Sequence, residues 1–507
     1  MEALSLRAGQ TGSLPKSAGR VRSHIGRVRP TRVMKPTDRY ELIILGQGSA
    51  AFAAAIKAND SKIKTAMVGG NATQGTVIGG TCVNVGCMPS KRLITVGTGL
   101  HNALSSPFKG ITYTGTKVDF AKVMREKDAM VAKFRKEKYS DVLRSLGHVT
   151  YYSGRAKFVS QGEIEADGKR LGGERFIIAV GARANIPPVE GIQDAGYLTN
   201  EDALSLERVP ESLCVIGGRA LGLEFAQMFA QFGAKVTILQ RSGRILPEDE
   251  PEISSALTDR LRETGIAVHT GVVVNSVAKR GTMKAIRFTS GGATKRVTCE
   301  HVLLATGRRP NTEYLNLEKA GVKTDDGGFV VVNNQMQTSN PSVWAAGDAI
   351  GEPMLETIAA KEGALAVHNA LSIDKRKIGF DEVPSAVFTY PEVARVGLTE
   401  AEAERRGIAC SCTVLPMEFV PKAHVIGDTR GLVKMVIERE AKRIIGVHIL
   451  APHAADLILE GTLAVKYNLT IDDIIDTVHV FPTLSESIKL AAQSFYMDVG
   501  KMSCCVE

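Results

Sequence analysis

Twice along this chain an apolar strand runs into a glycine-rich turn, then a helix, then a second strand. In the first copy the strand Tyr40–Leu45 enters Gly46-Gln47-Gly48-Ser49-Ala50-Ala51, followed by the Ala-rich helix Phe52–Ala58 and the strand Lys64–Val68. In the second, Leu213–Ile216 enters Gly217-Gly218-Arg219-Ala220-Leu221-Gly222, followed by the helix Glu224–Phe232 and the strand Lys235–Gln240. Glycines in such a turn let the backbone approach a pyrophosphate, which sits on the helix N-terminus. A lone G-x-G carries little weight, but one bracketed by strand and helix predicts a dinucleotide site. Two of them point to an α/β fold class with two Rossmann-like dinucleotide-binding domains. They imply two dinucleotides, or one cofactor and one substrate nucleotide.

Both turns depart from the ideal pattern. Arg219 stands where the middle glycine is expected, so that turn should open slightly or approach its ligand differently. The ribose-binding carboxylate is missing from both copies, because Gly69 and Gln240 hold its place. Around Gln240 lie Arg241 and Arg244, and a 2′-phosphate wants cations there rather than a carboxylate. The second site is therefore expected to take NADP(H). Nothing in the sequence compensates for Gly69, and the Gly-rich segment 69–80 is expected to reshape that pocket.

At 507 residues the chain has room for three or four domain-sized units. A hydrophobic content of 44% with 50 glycines suits an α/β protein rich in tight strand–helix turns. No run of about 18 uninterrupted apolar residues occurs, so no membrane span is expected. The formal charge of +9 does not point to nucleic acid, because it is concentrated at one end. Residues 1–35 hold eight basic side chains against one acid, Glu2, which leaves +2 for the other 472 residues. The leader, residues 1–37, reads as a solvated, disordered tail, with a transit peptide or a basic arm as alternatives. The first reading places the protein in the cytoplasm and the second in an organelle.

Eight cysteines are too few for a disulfide scaffold and suit a reducing compartment. Cys214 and Cys299 fall in the strand-like runs Leu213–Ile216 and Val297–Leu304 and are expected as small core residues. Cys410 and Cys412 form a C-x-C in a strand-like stretch, where alternation puts both on one face. Packing or partial exposure is the expectation there, and metal binding the alternative. Cys82 and Cys87 lie in Gly79-Gly80-Thr81-Cys82-Val83-Asn84-Val85-Gly86-Cys87-Met88-Pro89-Ser90-Lys91, a dithiol at a Gly-Gly-Thr-primed helix start. A helix N-terminus favours the thiolate, and so short a loop is readily broken and remade. Cys504 and Cys505 are adjacent, close to the chain end, and suited to picking up a soft metal ion or delivering electrons.

With the dithiol in place, residues 38–507 closely resemble the FAD-dependent pyridine nucleotide–disulfide oxidoreductases, with their motifs in family order. Gly46–Ala51 (Gly46, Gly48, Ser49, Ala50, Ala51) matches the FAD diphosphate turn, and Gly154-Arg155-Ala156-Lys157-Phe158 the short adenine-side strand. Ala305-Thr306-Gly307-Arg308-Arg309-Pro310-Asn311 matches the turn after the inserted NADP(H) domain. Trp344-Ala345-Ala346-Gly347-Asp348 matches the second FAD motif, whose aspartate binds the ribityl chain in the family. The resemblance further implies cofactor-binding roles for Gly80, Thr81, Gly181, Glu356, Gly217 and Gly222. It implies one FAD per subunit, NADPH as electron donor, and an α+β dimerisation domain that makes a homodimer with a shared active site. The implied domains are the leader 1–37, FAD-binding 38–186, NADP(H)-binding 187–308, a second FAD-binding part 309–380, and dimerisation 381–507. Cys87 is then expected to face the flavin and Cys82 the substrate, with Lys91 and Glu224 paired near the flavin's reactive nitrogen.

The C-terminus narrows the activity. Family members that reduce lipoamide or glutathione disulfides protonate the leaving thiol with a pair carried by His-Pro-x-x-x-Glu. Here the segment is Phe481-Pro482-Thr483-Leu484-Ser485-Glu486, so Glu486 is kept and Phe481, which cannot move a proton, replaces the histidine. His479 could substitute only if the chain aimed it into the site. This combination suggests a substrate that needs no proton on leaving. Mercury(II), Hg2+, fits, because it accepts two electrons and departs as the neutral metal. The tail, Lys489–Phe495, Asp498-Val499 and Ser503-Cys504-Cys505, resembles the end of the mercuric reductases. That resemblance implies that Cys504 and Cys505 of one subunit bind Hg2+ and hand it to Cys82 and Cys87 of the other. Residues 1–37 contain no cysteine, so the tail or small thiols in solution are the expected mercury carriers. Three alternatives stand: a thioredoxin or low-molecular-weight disulfide reductase using the tail as a relay, a lipoamide dehydrogenase, which Phe481 and the Arg241/Arg244 pair disfavour, and a flavoprotein that sequesters mercury without turnover.

Overall fold

The computed structural model describes residues 38–501, other than 71–76, 112, 114 and 116. The leader and the Cys504–Cys505 pair lie outside the described residues.

In the strand Asp38–Leu45 the last four residues, Leu42, Ile43, Ile44 and Leu45, are all fully buried. A run that is apolar without alternation belongs at the centre of a parallel sheet covered on both faces. It pairs in parallel with Thr65–Gly69 on one side and Lys169–Ile178 on the other. Val149–Ser153 extends one edge, and the antiparallel strands Glu163–Ala166 and Ala156–Ser160 extend the other. A short strand from far later in the chain, Val343–Ala345, returns to pair in parallel with Lys169–Ile178. The first Rossmann helix, Ser49–Asp60, buries Ala50, Ala51, Ala54, Ala55 and Ala58. These small side chains admit a second helix, Glu356–Leu371, so closely that a Cβ on Gly363 would stand 2.1 Å from the Ala50 carbonyl oxygen.

The second unit is a four-stranded parallel sheet in the order Ala267–His269, Lys235–Leu239, Ser212–Ile216, His301–Leu304. An antiparallel meander, Val272–Arg280, Met283–Ser290 and Ala293–Cys299, packs beside it. The expected single run Val297–Leu304 is thus two strands. Glu300 breaks it: its backbone N–H donates to Ser212 Oγ at 3.0 Å, and its carboxylate accepts from the Glu211 N–H at 2.8 Å. Those bonds turn the chain from the meander into the parallel sheet. Cys214 and Cys299, both buried as expected, meet across this corner with their thiols in hydrogen-bonding contact.

The C-terminal unit is a five-stranded antiparallel sheet in the order Ser385–Val387, Glu392–Gly397, Ile444–Ala451, Leu432–Glu438, Cys410–Pro416. The helices Ala454–Tyr467 and Glu486–Gln493 pack on it. Leu459, Leu463 and Tyr467 of the first helix, and Val478, Val480 and Phe481 beyond it, are exposed. Apolar exposure on that scale marks an interaction face. This unit is tied to the second one by a buried cation. Lys434 Nζ donates to Glu250 at 3.0 Å, to Glu252 at 3.0 and 3.2 Å, and to Glu400 at 2.8 Å. Burial alone would lower its pKa, but the three carboxylates outweigh that and hold it above the ordinary lysine value. Nearby, Asp249 is pushed up to about 6 by burial, only partly countered by Arg395. Among the described residues no helix is long and apolar enough to cross a membrane.

Candidate active site

Gly79 and Gly80 both take positive φ, +108° and +67°, and fold the dithiol segment directly onto the first glycine-rich turn. A Cβ on Gly80 would lie 2.6 Å from the Gly48 Cα, so this approach requires glycine. The short helix Gly80–Val85 carries Cys82; after Gly86 the long helix Cys87–Leu104 begins at Cys87 itself. Asn84 Nδ2 donates to the carbonyls of Gly80 and Ile78 at 2.8 and 3.1 Å, and Arg135 Nε holds Asn84 Oδ1 at 2.7 Å. Asn200 Nδ2 donates to the Val85 carbonyl at 2.6 Å. The dithiol loop is thus pinned from three sides.

Both cysteines are half-buried, and their thiols are hydrogen-bonded to one another. The Cys82 thiol donates to Cys87, which holds Cys87 below the ordinary thiol range despite burial; the Lys91 ammonium pulls the same way. Cys82 is pushed far up by that same bond, then by burial, then by the charges of Cys87 and Glu356. Of the two, Cys87 is the more readily ionised, and the helix N-terminus at Cys87 favours that order. One turn on, Lys91 Nζ sits 2.7 Å from Glu224 Oε2 and 4.6 Å from the centroid of the Phe388 ring. Glu224 Oε1 accepts from the Phe388 N–H at 3.0 Å.

The glycines around this dithiol form a backbone cradle. A Cβ on Gly46 would strike the Ala179 carbonyl oxygen at 2.1 Å. Gly181 and Gly307, at φ +68° and +93°, allow the two chain crossings where Asn311 N bonds Gly181 O and Asn185 N bonds Gly307 O. Arg308 reaches from the second crossing to the Ala182 carbonyl and to Thr81 Oγ1 at 3.4 Å, with its Nε 3.3 Å from Asp348 Oδ2. Asp348 is raised by burial and drawn back by Arg308. The Gly347 N–H donates to Glu362 Oε2 at 2.7 Å, and burial pushes Glu362 up to about 7. Ala156 is buried at the start of its strand, and Glu356 opens its helix close enough to the dithiol to raise both thiols. A cradle that any side chain would fill, a helix N-terminus at Ser49–Ala51, and Asp348 facing Thr81 through Arg308 together fit a flavin dinucleotide lying against the dithiol.

The puzzle of Gly69 has a local answer. A Cβ there would lie 2.7 Å from the Gln47 Cβ and 2.9 Å from the Gly46 carbonyl oxygen, so Gln47 occupies the space a carboxylate would need. Tyr151 Oη stands 2.9 Å from Gln47 Oε1 and 2.8 Å from the Gly69 carbonyl oxygen, and Ser153 Oγ lies against Gly70. A neutral cluster replaces the acid. Neither Tyr151 nor Tyr139 is among the residues the sequence singled out. Tyr139 lies in the π-helical turn Lys136–Ser140, hydrogen-bonded to Ser49 and stacked edge-on to Phe52 at 4.9 Å. Its hydroxyl is close enough to the dithiol to feel both charges, although burial is the main reason its pKa rises. A lone π turn is a structural signal of a site, but it has no sequence signature.

In the second turn, a Cβ on Gly217 would meet the Ala305 carbonyl oxygen at 2.1 Å, and one on Gly222 the Gly217 carbonyl oxygen at 2.0 Å. Arg219 needs no opened turn: it sits at φ −100° and its side chain leaves the turn to pair with Glu248. Gln240 Oε1 accepts from the Gly218 N–H at 2.8 Å, so it braces the turn rather than facing a ribose. Arg244 Nη2 is committed to the carbonyls of Pro247 and Asp249 at 2.7 and 2.9 Å, whereas Arg241 remains exposed.

At the C-terminal end, Phe481 is 53% exposed. His479 Nδ1 lies 2.9 Å from the Thr477 carbonyl oxygen and its Nε2 2.8 Å from Glu460 Oε1. Glu486 opens its helix with Oε2 buried and unpartnered, and burial raises its pKa against the pull of His479 and Lys489.

The model of the pyridine nucleotide-disulphide oxidoreductase family matches residues 40–363, and that of the same family's dimerisation domain matches residues 383–492. The chain belongs to the pyridine nucleotide–disulphide oxidoreductase family. Within it, the chain is 41% identical to a mercuric reductase of Staphylococcus aureus over 92% of this chain and 84% of that one. It is 40% identical to a mercuric reductase of Streptomyces lividans over 92% of this chain and 98% of that one. Among solved structures, it is similar to the HOCl-induced flavoprotein disulfide reductase RclA of Escherichia coli, at TM-score 0.79 and 27% identity. That match covers 90% of this chain and 99% of that one.

Proposed function

We propose that this chain is an NADPH-dependent flavoenzyme that reduces mercury(II) to elemental mercury. The observation that carries the reading is the hydrogen-bonded Cys82–Cys87 dithiol in a chain whose Pro482-x-x-x-Glu486 motif is preceded by Phe481 rather than by a histidine. Phe481 stands in the acid's place, and His479 is held by Glu460 and Thr477. A disulfide substrate would need a proton for its leaving thiol, whereas mercury leaves without one. The mercuric reductases to which the chain is 34–41% identical support the same substrate.

We assign residues 38–186 and 309–380 to FAD binding, 187–308 to NADPH binding and 381–507 to dimerisation. FAD, when bound at the first cradle, supplies the two-electron relay between NADPH and the dithiol. The chain's own residues do the rest. Gly217, Gly222 and Arg241 hold NADPH. Lys91, fixed by Glu224, places a cation beside Cys87 and the flavin end of the cradle. Cys87 and Cys82 then hold Hg2+ as a two-coordinate thiolate complex while it takes up two electrons. The exposed apolar face at Leu459, Leu463, Tyr467, Val478 and Phe481 is covered by the second copy in the homodimer. Across it the Cys504–Cys505 arm delivers metal from small-thiol complexes to the dithiol of the other subunit. We place this activity in the cytoplasm.

The test is Hg2+-dependent NADPH oxidation by the purified yellow protein, with mercury vapour measured in the headspace. Vapour released in proportion to NADPH consumed supports the reading. Robust turnover of glutathione disulfide or oxidised thioredoxin, without mercury release, overturns it in favour of a disulfide reductase. Tight Hg2+ binding without NADPH consumption would leave a sequestering protein.

A further inference from the structure

Outside the dithiol and the tail, the chain holds one more pair of cysteines within reach of solvent. Cys410 and Cys412 open the strand Cys410–Pro416, which pairs on one side only, with Leu432–Glu438, at the edge of the C-terminal sheet. Thr413 turns to the helix Glu486–Gln493, where its Oγ1 donates to the Ala491 carbonyl at 3.1 Å. Cys410 and Cys412 therefore share the opposite face of the strand. Both are half-buried and reduced.

The Cys412 thiol is hydrogen-bonded to the Glu400 carboxylate, the same carboxylate that lies 2.8 Å from Lys434 Nζ. Burial, and then Glu400, push the Cys412 thiol up to about 12. It rests protonated. A harder cation finds too few ligands: among the described residues no group of three or more His, Cys, Asp or Glu is arranged to hold one. Two sulfurs on one strand face suffice only for a soft ion that accepts two-coordination.

We propose that Cys410 and Cys412 form a second soft-metal site that takes Hg2+ from small-thiol complexes. It rests on the proposed function only for the source of the metal. The exchange balances without redox chemistry. The two Hg–S bonds to the small thiols break, two form to Cys410 and Cys412, and the two cysteine protons leave on the released thiols; mercury stays Hg(II). Because the cysteine protons leave on the released thiols, the exchange is balanced in protons, and loading is set by how much free thiol competes for the metal. The site is a holding place for incoming metal on the edge strand of the C-terminal sheet. Through Glu400 it touches the carboxylate cluster around Lys434.

The experiment uses the full-length FAD-loaded protein carrying Cys504→Ala and Cys505→Ala, with Cys82 and Cys87 oxidised to their disulfide. The probe is the mercury(II) bis-cysteine complex, followed by desalting and metal analysis. About one equivalent of mercury per subunit should be retained, and Cys410→Ser with Cys412→Ser should remove at least nine-tenths of it. Glu400→Gln removes a neighbour but no sulfur and should keep the metal; loss of the metal from that variant would overturn a two-sulfur site. Equal retention by the Cys410→Ser/Cys412→Ser protein overturns the proposal, and peptide mapping then identifies the pair responsible, with Cys214 and Cys299 the remaining thiols. Mercury vapour release is measured separately on protein with the tail and the reduced dithiol intact. Turnover without loading at Cys410–Cys412 sinks this inference alone, and loading without turnover sinks the enzymatic reading alone.

Discussion

The three carboxylates around Lys434 make a sharp test of what joins the NADPH-side unit to the C-terminal unit. Lys434→Met removes the cation but roughly keeps the volume of its stem. Glu252 and Glu400 side chains are 38% and 44% exposed and can rehydrate. Glu250 cannot, because its side chain is 2% exposed, and its remaining contacts are the Glu400 N–H at 2.7 Å and His448 at 3.9 Å. The cost is therefore that of one stripped buried charge, about 3–5 kcal/mol, rather than the sum of three ion pairs. Adding Glu250→Gln to Lys434→Met removes that charge while the amide oxygen can still accept from Glu400 N–H, and should recover more than half of the loss. The assay is urea unfolding at fixed protomer concentration for the wild type, the single variant and the double variant. A single variant within about 1 kcal/mol of wild type, or a double variant no better than the single, would refute the reasoning.

Arg241→Ala should reduce the preference for NADPH over NADH by about ten- to a hundredfold in KM, because one charge-assisted phosphate contact is worth about 1.5–3 kcal/mol. Arg244→Ala should instead destabilise without a cofactor-selective effect, and equal use of both cofactors by the wild type would sink the assignment. Tyr151→Phe should weaken FAD binding about five- to tenfold, read by fluorescence on titrating apoprotein, since it removes one hydroxyl from the cluster that replaces the ribose carboxylate; unchanged affinity would show that the cluster is only packing. Glu362 keeps a proton up to about pH 7 when folded, against 4.5 ordinarily, so the folded state binds more protons between those values and stability falls as pH rises through that window. Thermal melts of Glu362→Gln should be flatter than wild type between pH 5 and 8, and a parallel decline in both would contradict the buried-acid account. Phe481→His beside Glu486 should raise glutathione disulfide reduction by about tenfold or more without improving mercury turnover; a gain in both, or in mercury alone, would remove the argument from the missing acid.

What could be read from the sequence was what short-range geometry encodes. The two turns at Gly46 and Gly217 need positive φ and backbone approach, so their glycines announce them. The dithiol at Cys82 and Cys87 is likewise a local pattern, and strict alternation alone puts Cys410 and Cys412 on one strand face. The failures arise where a residue's role is set by something distant in sequence. Arg244 has the right charge and spacing for a phosphate, but no spacing announces that its Nη2 also bonds the carbonyls of Pro247 and Asp249. Glu300 splits an apolar run because Ser212 and Glu211 stand ready to bond it. Gln47 and Tyr151, 104 residues apart, fill the gap at Gly69, and Lys434 finds Glu250 across 184 residues. No window of periodicity or propensity contains both halves of such pairs. Cys504 and Cys505, the most suggestive residues in the sequence, lie outside the described structure.

The late return of Val343–Ala345 to the first sheet also sets an order of assembly. Its neighbours in the core, including Leu315, Leu317, Val322 and Ala349, come from the same late segment, as does Glu362, which anchors Gly347. A chain emerging N-terminus first has the whole parallel sheet ending at His301–Leu304 in hand before the first sheet can close. The interrupted half must wait, its strand Lys169–Ile178 short of one neighbour, until the inserted unit has already compacted and brought the two ends of the gap together. Synthesis therefore makes the inserted unit a clamp for the one it interrupts, because closing a folded insert costs far less loop entropy than closing a free chain of the same length. Mutations that slow the inserted unit's own folding should then reduce the yield of flavin-loaded protein without touching a single residue of the flavin cradle.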